Sequence, residues 1–340
     1  MTDAEAIVLG IESSCDETAA AVVRGGRRVL SSIVHSQVNE HAPFGGVVPE
    51  IAGRSHLRAI VPVIDRALEE ARVGLDDLAA IAVTNRPGLI GSLLIGLSAA
   101  KALAWMRGLP LVGVDHIEAH AYAATMERDV PLPAIALVVS GGHTALYRMN
   151  APDHLVLLGG TLDDAAGEAF DKVSSLLGLG YPGGPPISRL ARDGNRSAFR
   201  FPRYRPPDGR TAFSFSGLKT AVLYHLRGQD ALAPTPAPET IERPADVAAS
   251  FEEAVVDALV GESLRTAEAE RLDSILVAGG VACNDRLRER MTEEAGKRGW
   301  NAVFPSPGYC TDNAAMIAGL GHHLWSLGQR DTLELDARAR

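Results

Sequence analysis

The feature that most narrows what this chain can fold into is that it repeats its own plan. Residues 7–11, 18–23 and 28–35 are three apolar runs, separated by the polar turn Glu12-Ser13-Ser14-Cys15-Asp16-Glu17 and by Gly25-Gly26. Apolar runs punctuated in this way read as a three-stranded meander. The same order returns at 135–139, 144–149 and 155–158, with Ser140-Gly141-Gly142-His143 in the first turn. Two strand–helix steps then recur. Residues 81–84 lead into Asn85-Arg86-Pro87-Gly88 and 275–278 into Gly279-Gly280; residues 111–114 precede a helix starting near His116, and 302–304 precede one near Asp312. Such a repeat sets the architecture before any motif is consulted. It predicts an α/β protein of two similar halves facing each other, with loops at strand ends lining the cleft between them.

The two meanders lie closer in sequence than the later strand pairs do, so roughly sixty extra residues must sit in the second half, between Gly160 and Ser274. The expected division is 1–130 for the first half, 131–325 for the second with a helical insertion at about 160–273, and 326–340 for a tail. The last five residues are expected to fray. Within the insertion, 229–244 is rich in Ala, Pro and Thr and reads as a loop, as does the proline-rich stretch 200–210 with Arg200, Arg203, Arg205 and Arg210.

A net charge of −9 without a long run of either sign argues against wholesale coating of nucleic acid, which needs local Lys/Arg density. Three scattered cysteines, Cys15, Cys283 and Cys310, make neither a disulfide framework nor a Cys-rich zinc site and fit a reducing compartment. The acidic N-terminus is unlike a signal peptide. The most apolar stretch, 89–106, is interrupted by Gly91, Ser92, Gly96, Ser98 and Lys101. A soluble, cytoplasmic protein is expected.

His116-Ile117-Glu118-Ala119-His120 places two imidazoles four apart at the start of a helix, so both leave one face, as a metal requires of a local pair. A zinc protease of the H-E-x-x-H kind does not fit, because Glu118 lies two residues from each histidine, on the opposite face. The repeat nominates Asp312 as a third ligand, since it is the counterpart of the position beside His120. Two imidazoles and a carboxylate suit iron or zinc with open positions. Cys310 is a weaker candidate, and Asp312 would otherwise be a helix cap. Glu12 and Asp16, in the first hairpin turn, occupy a place from which a carboxylate can meet a metal or substrate. Four glycine turns after strands (140–143, 182–185, 279–280 and 87–88) are candidate phosphate cradles. No P-loop lysine motif, no dinucleotide G-x-G-x-x-G after a strand and no G-x-S-x-G elbow is present. Asp164, Glu168 and Asp171 share one face of an expected helix, beside Asp163 and Lys172, as a solvated face or a ribose or metal contact.

Read in order, these segments resemble a known family. They are 9–18, 45–50, 87–93, 116–120, 138–144, 163–172, 181–185, 213–219, Gly279-Gly280-Val281 with Asn284, and Cys310-Thr311-Asp312-Asn313. Their order and spacing are similar to those of the TsaD family, the bacterial branch of the universal tRNA threonylcarbamoyladenosine transferases, formerly labelled glycoprotein endopeptidases. The likeness runs from about residue 7 to 324. It implies a duplicated actin-like, sugar-kinase-type (ASKHA) fold. It implies transfer of threonylcarbamoyl from threonylcarbamoyl-AMP to N6 of adenosine 37 in tRNAs reading ANN codons. It further implies that His116, His120 and Asp312 hold Fe(2+), with zinc or magnesium as alternatives. Val138, Val139, Ser140, Gly141, Gly142, Asp171, Gly184 and Asn284 would hold the adenylate. Implied partners are TsaB and TsaE, with TsaC supplying the adenylate; the isolated chain as a homodimer is left open. Glu12 and Asp16 are the candidates for assisting proton removal or shaping the metal's surroundings. The arginines of 200–210 are a candidate tRNA contact. Two positions depart from the family pattern: Arg86 stands where a glycine is usual, and Ser188 where many members carry an aspartate. The competing reading by fold analogy is a small-molecule kinase, which would need neither tRNA nor His116.

Overall fold

The structure, a computed structural model, describes residues 3–228 and 237–339. The first half of the loop expected at 229–244, residues 229–236, therefore lies outside the described residues. The chain divides into two compact units, one built from the residues up to Val130, Ala151–Leu155 and the chain from Pro305 on, the other from Pro131–Asn150 and Val156–Phe304.

In the first unit β1 (Ile7–Glu12), β2 (Glu17–Arg24) and β3 (Arg28–Ser36) form the meander. The one-turn helix α1 (Val38–His41), the long α2 (Pro49–Ala71), β4 (Ala80–Arg86), α3 (Ile90–Arg107), β5 (Leu111–Asp115) and α4 (His116–Met126) follow. The second unit begins with β6 (Ala134–Val139), β7 (Thr144–Ala151) and β8 (His154–Gly160). Next come α5 (Ala166–Leu176), α6 (Gly184–Ala191), α7 (Ser216–Arg227) and α8 (Pro244–Glu270), four helices in the stretch read as an insertion, then β9 (Ser274–Ala278), α9 (Asp285–Gly296) and β10 (Asn301–Val303). The sheet orders are β3-β2-β1-β4-β5 and β8-β7-β6-β9-β10, one plan written twice. The β1–β2, β2–β3 and β6–β7 pairs are antiparallel, and in each sheet the two later strands are parallel to the first. Ala82 lies beside Val112 in one sheet and Leu276 beside Val303 in the other, the strand pairs that the repeat matched.

Burial on both faces explains why these strands are apolar at nearly every position rather than at alternate ones. In the first sheet Ile7, Leu9, Ile11, Ala20, Val22, Ile81 and Val83 face α2 and α3, packing on Ile60, Val63, Ile64, Leu97 and Ala100. Their neighbours Val8, Ala19, Ala21, Ala80, Ala82, Val112 and Val114 face α4 and the last long helix, α11 (Ala314–Ser326), which follows the one-turn α10 (Pro307–Cys310). Helix α3 is the one helix among the described residues long and apolar enough to cross a membrane. Its Leu93, Gly96, Leu97, Ala100 and Ala104 are buried in the protein.

Three expectations need correction. The second half was to run to 325, yet residues from Pro305 on belong to the first unit, because α11 buries Ala314, Ala315, Met316, Ile317, Ala318 and Leu320 against the second face of its sheet. The C-terminal residues were expected to fray. Instead Asp331 bridges Leu111, its carboxylate accepts from the Gly113 amide at 2.7 Å, Leu335 and Ala337 pack on the core, and the Arg338 amide donates to Asn85 O at 2.8 Å. Finally, Asp163 and Asp164 precede α5 rather than lying in it. Asp163 caps α7 by accepting from the Phe215 and Ser216 amides, and Asp164 pairs with Lys172 at 2.8 Å.

Candidate metal centre

The site is built where β1, β5 and the turn before α11 converge within the first unit. Strand β5 ends at Asp115, whose side chain caps α4 by accepting from the amides of Ile117 (2.8 Å) and Glu118 (3.1 Å). Because Asp115 takes the capping role, His116 is the first helical residue and its ring is released to face inward. One turn later His120 leaves the same face, and the two rings meet edge to face with centroids 4.6 Å apart.

The third member arrives by close packing. Gly10 on β1 has no side chain, and a Cβ there would lie 2.4 Å from the Ala314 carbonyl oxygen. Only glycine lets α11 approach this closely, and that approach carries Asp312 to the histidines. The cap of α11 is Asn313, which accepts from the Met316 amide at 3.0 Å. Asp312 is thereby left for other work. Its Oδ1 sits 3.0 Å from His120 Nε2 and 3.6 Å from His116 Nε2. One donor atom from each of the three residues lies within 4.8 Å of the other two.

Behind them lies Glu12, wholly buried at the end of β1. Its carboxylate accepts from the Ser14 amide, from the Thr84 hydroxyl and from His116 Nδ1 at 3.0 Å. Burial pushes its pKa up, but His116 beside it prevails and the net shift is downward. Burial works against a charged His116, yet Glu12 and Asp312 outweigh it and carry its pKa to about 9. With a metal in place of the Nε2 proton, the carboxylate on Nδ1 would hold the remaining proton there and leave the Nε2 lone pair facing Asp312 and His120. Glu12 is thus placed to orient His116, from beneath the ring.

Asp16 and Glu17 sit half-buried in the turn above. Burial, Asp312 and Asp16 together push Glu17 up to about 10, so the turn presents more negative charge than it can hold unaided. A divalent cation would answer two features at once: the converging imidazole and carboxylate donors, and the surplus of carboxylates. The residues present therefore fit a metal ion.

His56 stands outside every motif singled out above. It lies on the buried stripe of α2 with Ala52, Ile60 and Val63, and a histidine on an apolar stripe was the available signal. Its Nδ1 takes the Thr18 hydroxyl at 2.8 Å and its Nε2–H donates to Cys15 O at 2.9 Å, pinning the turn that holds Asp16. Burial depresses its pKa, which matches a neutral, structural ring. Cys15 is driven strongly upward by burial and by Asp16, and Cys310 is buried; neither joins the cluster of three. Glu118 stands outside the cluster of three, and its charged neighbours are Asp115, Arg86 and Asp153, in agreement with the geometric case against a protease base; burial and Asp115 raise its pKa to about 7.

The residues read as an adenylate site all fall in the second unit. Val138 and Val139 are fully buried strand residues, which leaves the turn after them as the accessible part. Gly141 and Gly142 are exposed, and their amides have no partner among the described residues. Gly167 in α5 and Gly279 after β9 press on this turn and on Val139, where a Cβ at either would come within 2.6 Å of a carbonyl oxygen. Asp171 accepts from the Gly183 amide at 2.6 Å and so fixes the entry to α6, which begins at Gly184. Asn284 caps α9 and donates to Ser188 at 2.9 Å and to Glu252 at 2.8 Å. The fourth glycine turn is elsewhere. Gly88 packs under Ser14 in the first unit.

The family profile described as tRNA N6-adenosine threonylcarbamoyltransferase (TsaD) matches residues 28–319. A protein of that description from Syntrophotalea carbinolica is 53% identical over 333 residues, covering 98% of this chain and 96% of the relative. One from Geobacter metallireducens is 54% identical over 331 residues, covering 97% and 95%. The chain belongs to the tRNA N6-adenosine threonylcarbamoyltransferase family. It is accordingly a transferase, and the kinase reading falls away. Solved structures agree on the fold. Full-length HypF in its phosphate- and nucleotide-bound form has a TM-score of 0.62 at 13% identity, covering 95% of this chain and 47% of that one. Component A of (R)-2-hydroxyglutaryl-CoA dehydratase from Acidaminococcus fermentans scores 0.55 at 14% identity, covering 95% and 100%. A ROK hexokinase from Thermus thermophilus scores 0.50 at 17%, with the same coverage. At such identities they support the duplicated actin-like, sugar-kinase-type fold alone.

Proposed function

We propose that this threonylcarbamoyltransferase takes its group from threonylcarbamoyl-AMP and delivers it to N6 of adenosine 37 in tRNAs that read ANN codons. The observation that carries this reading is the convergence of His116, His120 and Asp312 with Glu12 on the far side of His116, in a chain of this family. Such an adenylate is a mixed anhydride with an activated carbonyl and AMP as a good leaving group. The work left to the protein is to hold both ends, orient the exocyclic amine and take up its proton.

His116, His120 and Asp312 hold the metal, Fe(2+) in this reading with zinc or magnesium as alternatives. When bound, the ion supplies Lewis acidity toward the carbonyl or an anchor for the threonylcarbamoyl end. Glu12 keeps the proton on His116 Nδ1. Asp16, half-buried in the adjoining turn, is the carboxylate placed to accept a proton. The Gly141 and Gly142 amides bind the phosphate, and Asp171, Gly184 and Asn284 shape the remainder of the adenylate site. TsaB and TsaE act with this chain in the cytoplasm and TsaC provides the adenylate. The exposed Leu57 and Val61 on α2, with Ile90 and Leu94 on α3, support a protein partner.

The test is reconstitution with the partner proteins, labelled threonine, bicarbonate, ATP and unmodified tRNA. Label is expected at adenosine 37 with the native chain and not with His116→Ala. A complete mixture that leaves the tRNA unlabelled refutes the proposal.

A further inference from the structure

Arg86 is the last residue of β4, and Asp115 the last of β5. The strands run parallel, and after a bulge Arg86 registers against Asp115. Arg86 Nε donates to Asp115 Oδ2 at 3.0 Å, while Asp115 Oδ1 accepts the amides of Ile117 and Glu118. A single carboxylate thus joins the guanidinium to the first turn of the helix that carries both histidines. The pair is unequal in exposure, with Arg86 at 41% and Asp115 at 16%.

We infer that Arg86 is a positioning residue for the metal, acting through Asp115 on the orientation of His116 and His120. This inference rests on the metal reading above. An aspartate can cap a helix unaided, but its carboxylate is then held through one oxygen only. With one oxygen held by the guanidinium, the other is fixed over the amides, and the first turn of α4 inherits that fixed orientation. A half-exposed ion pair contributes little to global stability. Its effect belongs in ligand geometry, where displacements of about half an ångström matter.

The test titrates the purified full-length chain with Co(2+), following the visible ligand-field band, and compares the native protein with Arg86→Gln, Arg86→Lys and Asp115→Asn. Asparagine keeps a capping oxygen but removes the ion pair. Arg86→Gln and Asp115→Asn are expected to bind Co(2+) on the order of 10-fold more weakly, with an altered band shape and little change in melting temperature. Arg86→Lys should recover part of the loss. Native affinity and band shape in Arg86→Gln overturn the inference, as does a loss that merely tracks a fall in melting temperature and is not recovered by lysine. A native chain that shows no Co(2+) band, and does not differ from His116→Ala, overturns the metal reading and this inference together.

Discussion

Glu12 determines how good a ligand His116 can be. Replacing it by glutamine keeps the volume but offers an amide that can donate to Nδ1, which favours the tautomer whose Nε2 carries the proton and has no lone pair for a metal. Glu12→Gln should therefore weaken metal binding about 10- to 100-fold. It should also cost about 1–3 kcal/mol of stability, because the buried Ser14 amide and Thr84 hydroxyl lose a charged acceptor. Normal metal content together with full transfer activity would count against this role. A second, partly buried carboxylate tests the electrostatics away from the site. Glu253 on α8 takes two 2.7 Å hydrogen bonds from Arg286 on α9, and although burial works to raise its pKa, that guanidinium holds it below the usual carboxylate range. A depressed folded pKa means the pair's stabilisation is complete above the unfolded value and fades as pH falls through the folded one. Glu253→Gln is expected to cost about 1–3 kcal/mol at pH 7 in chemical denaturation, a gap that closes in acid. A gap independent of pH would show that the charge is not its source. The i, i+4 spacing of His116 and His120 was legible because it is local. The link from Glu12 to His116 joins residues 104 apart, and spacing along the chain carries no trace of it.

At the scale of elements, the strands could be read closely because sheets buried on both faces demand nearly unbroken apolar runs. Where α11 would dock could not be read in the same way. It is apolar around most of its circumference, and the repeat placed its counterpart at α4, which suggested a home in the second half. What decides its place is a pair of glycines with no periodic signature. Gly10 accommodates Ala314 and Ala318, and Gly321 approaches the Ala82 Cβ to within 2.2 Å of where its own Cβ would be. Gly10→Ala should accordingly displace the start of α11, with overpacking costing about 1–3 kcal/mol. Since Asp312 precedes that helix, metal affinity should fall alongside the melting temperature. Thermal melts and metal titration of the same sample check this, and unaltered metal affinity would mean that Asp312 is positioned independently of β1.

For the molecule as a whole, the duplication was visible in the sequence but its boundary was not, because contact, not order, defines a unit. The segment up to Val130 contributes His116 and His120, but its α4 covers only part of one face of the sheet, and the rest is covered by a helix encoded some two hundred residues later. Val8, Ala82, Val112 and Val114 find their partners on α11, and Asp312 comes with it. Residues 1–130 alone should therefore fail to fold cooperatively. The same residues joined by a Gly/Ser linker to 305–340 should regain a cooperative melt, and should bind Co(2+) in a manner lost on His120→Ala. Circular dichroism melts and metal titration of the two chains decide the matter. If the shorter chain folds as well as the joined one, α11 is dispensable to the sheet. If the joined chain folds but binds no metal, the three donors need more than their own unit to hold an ion.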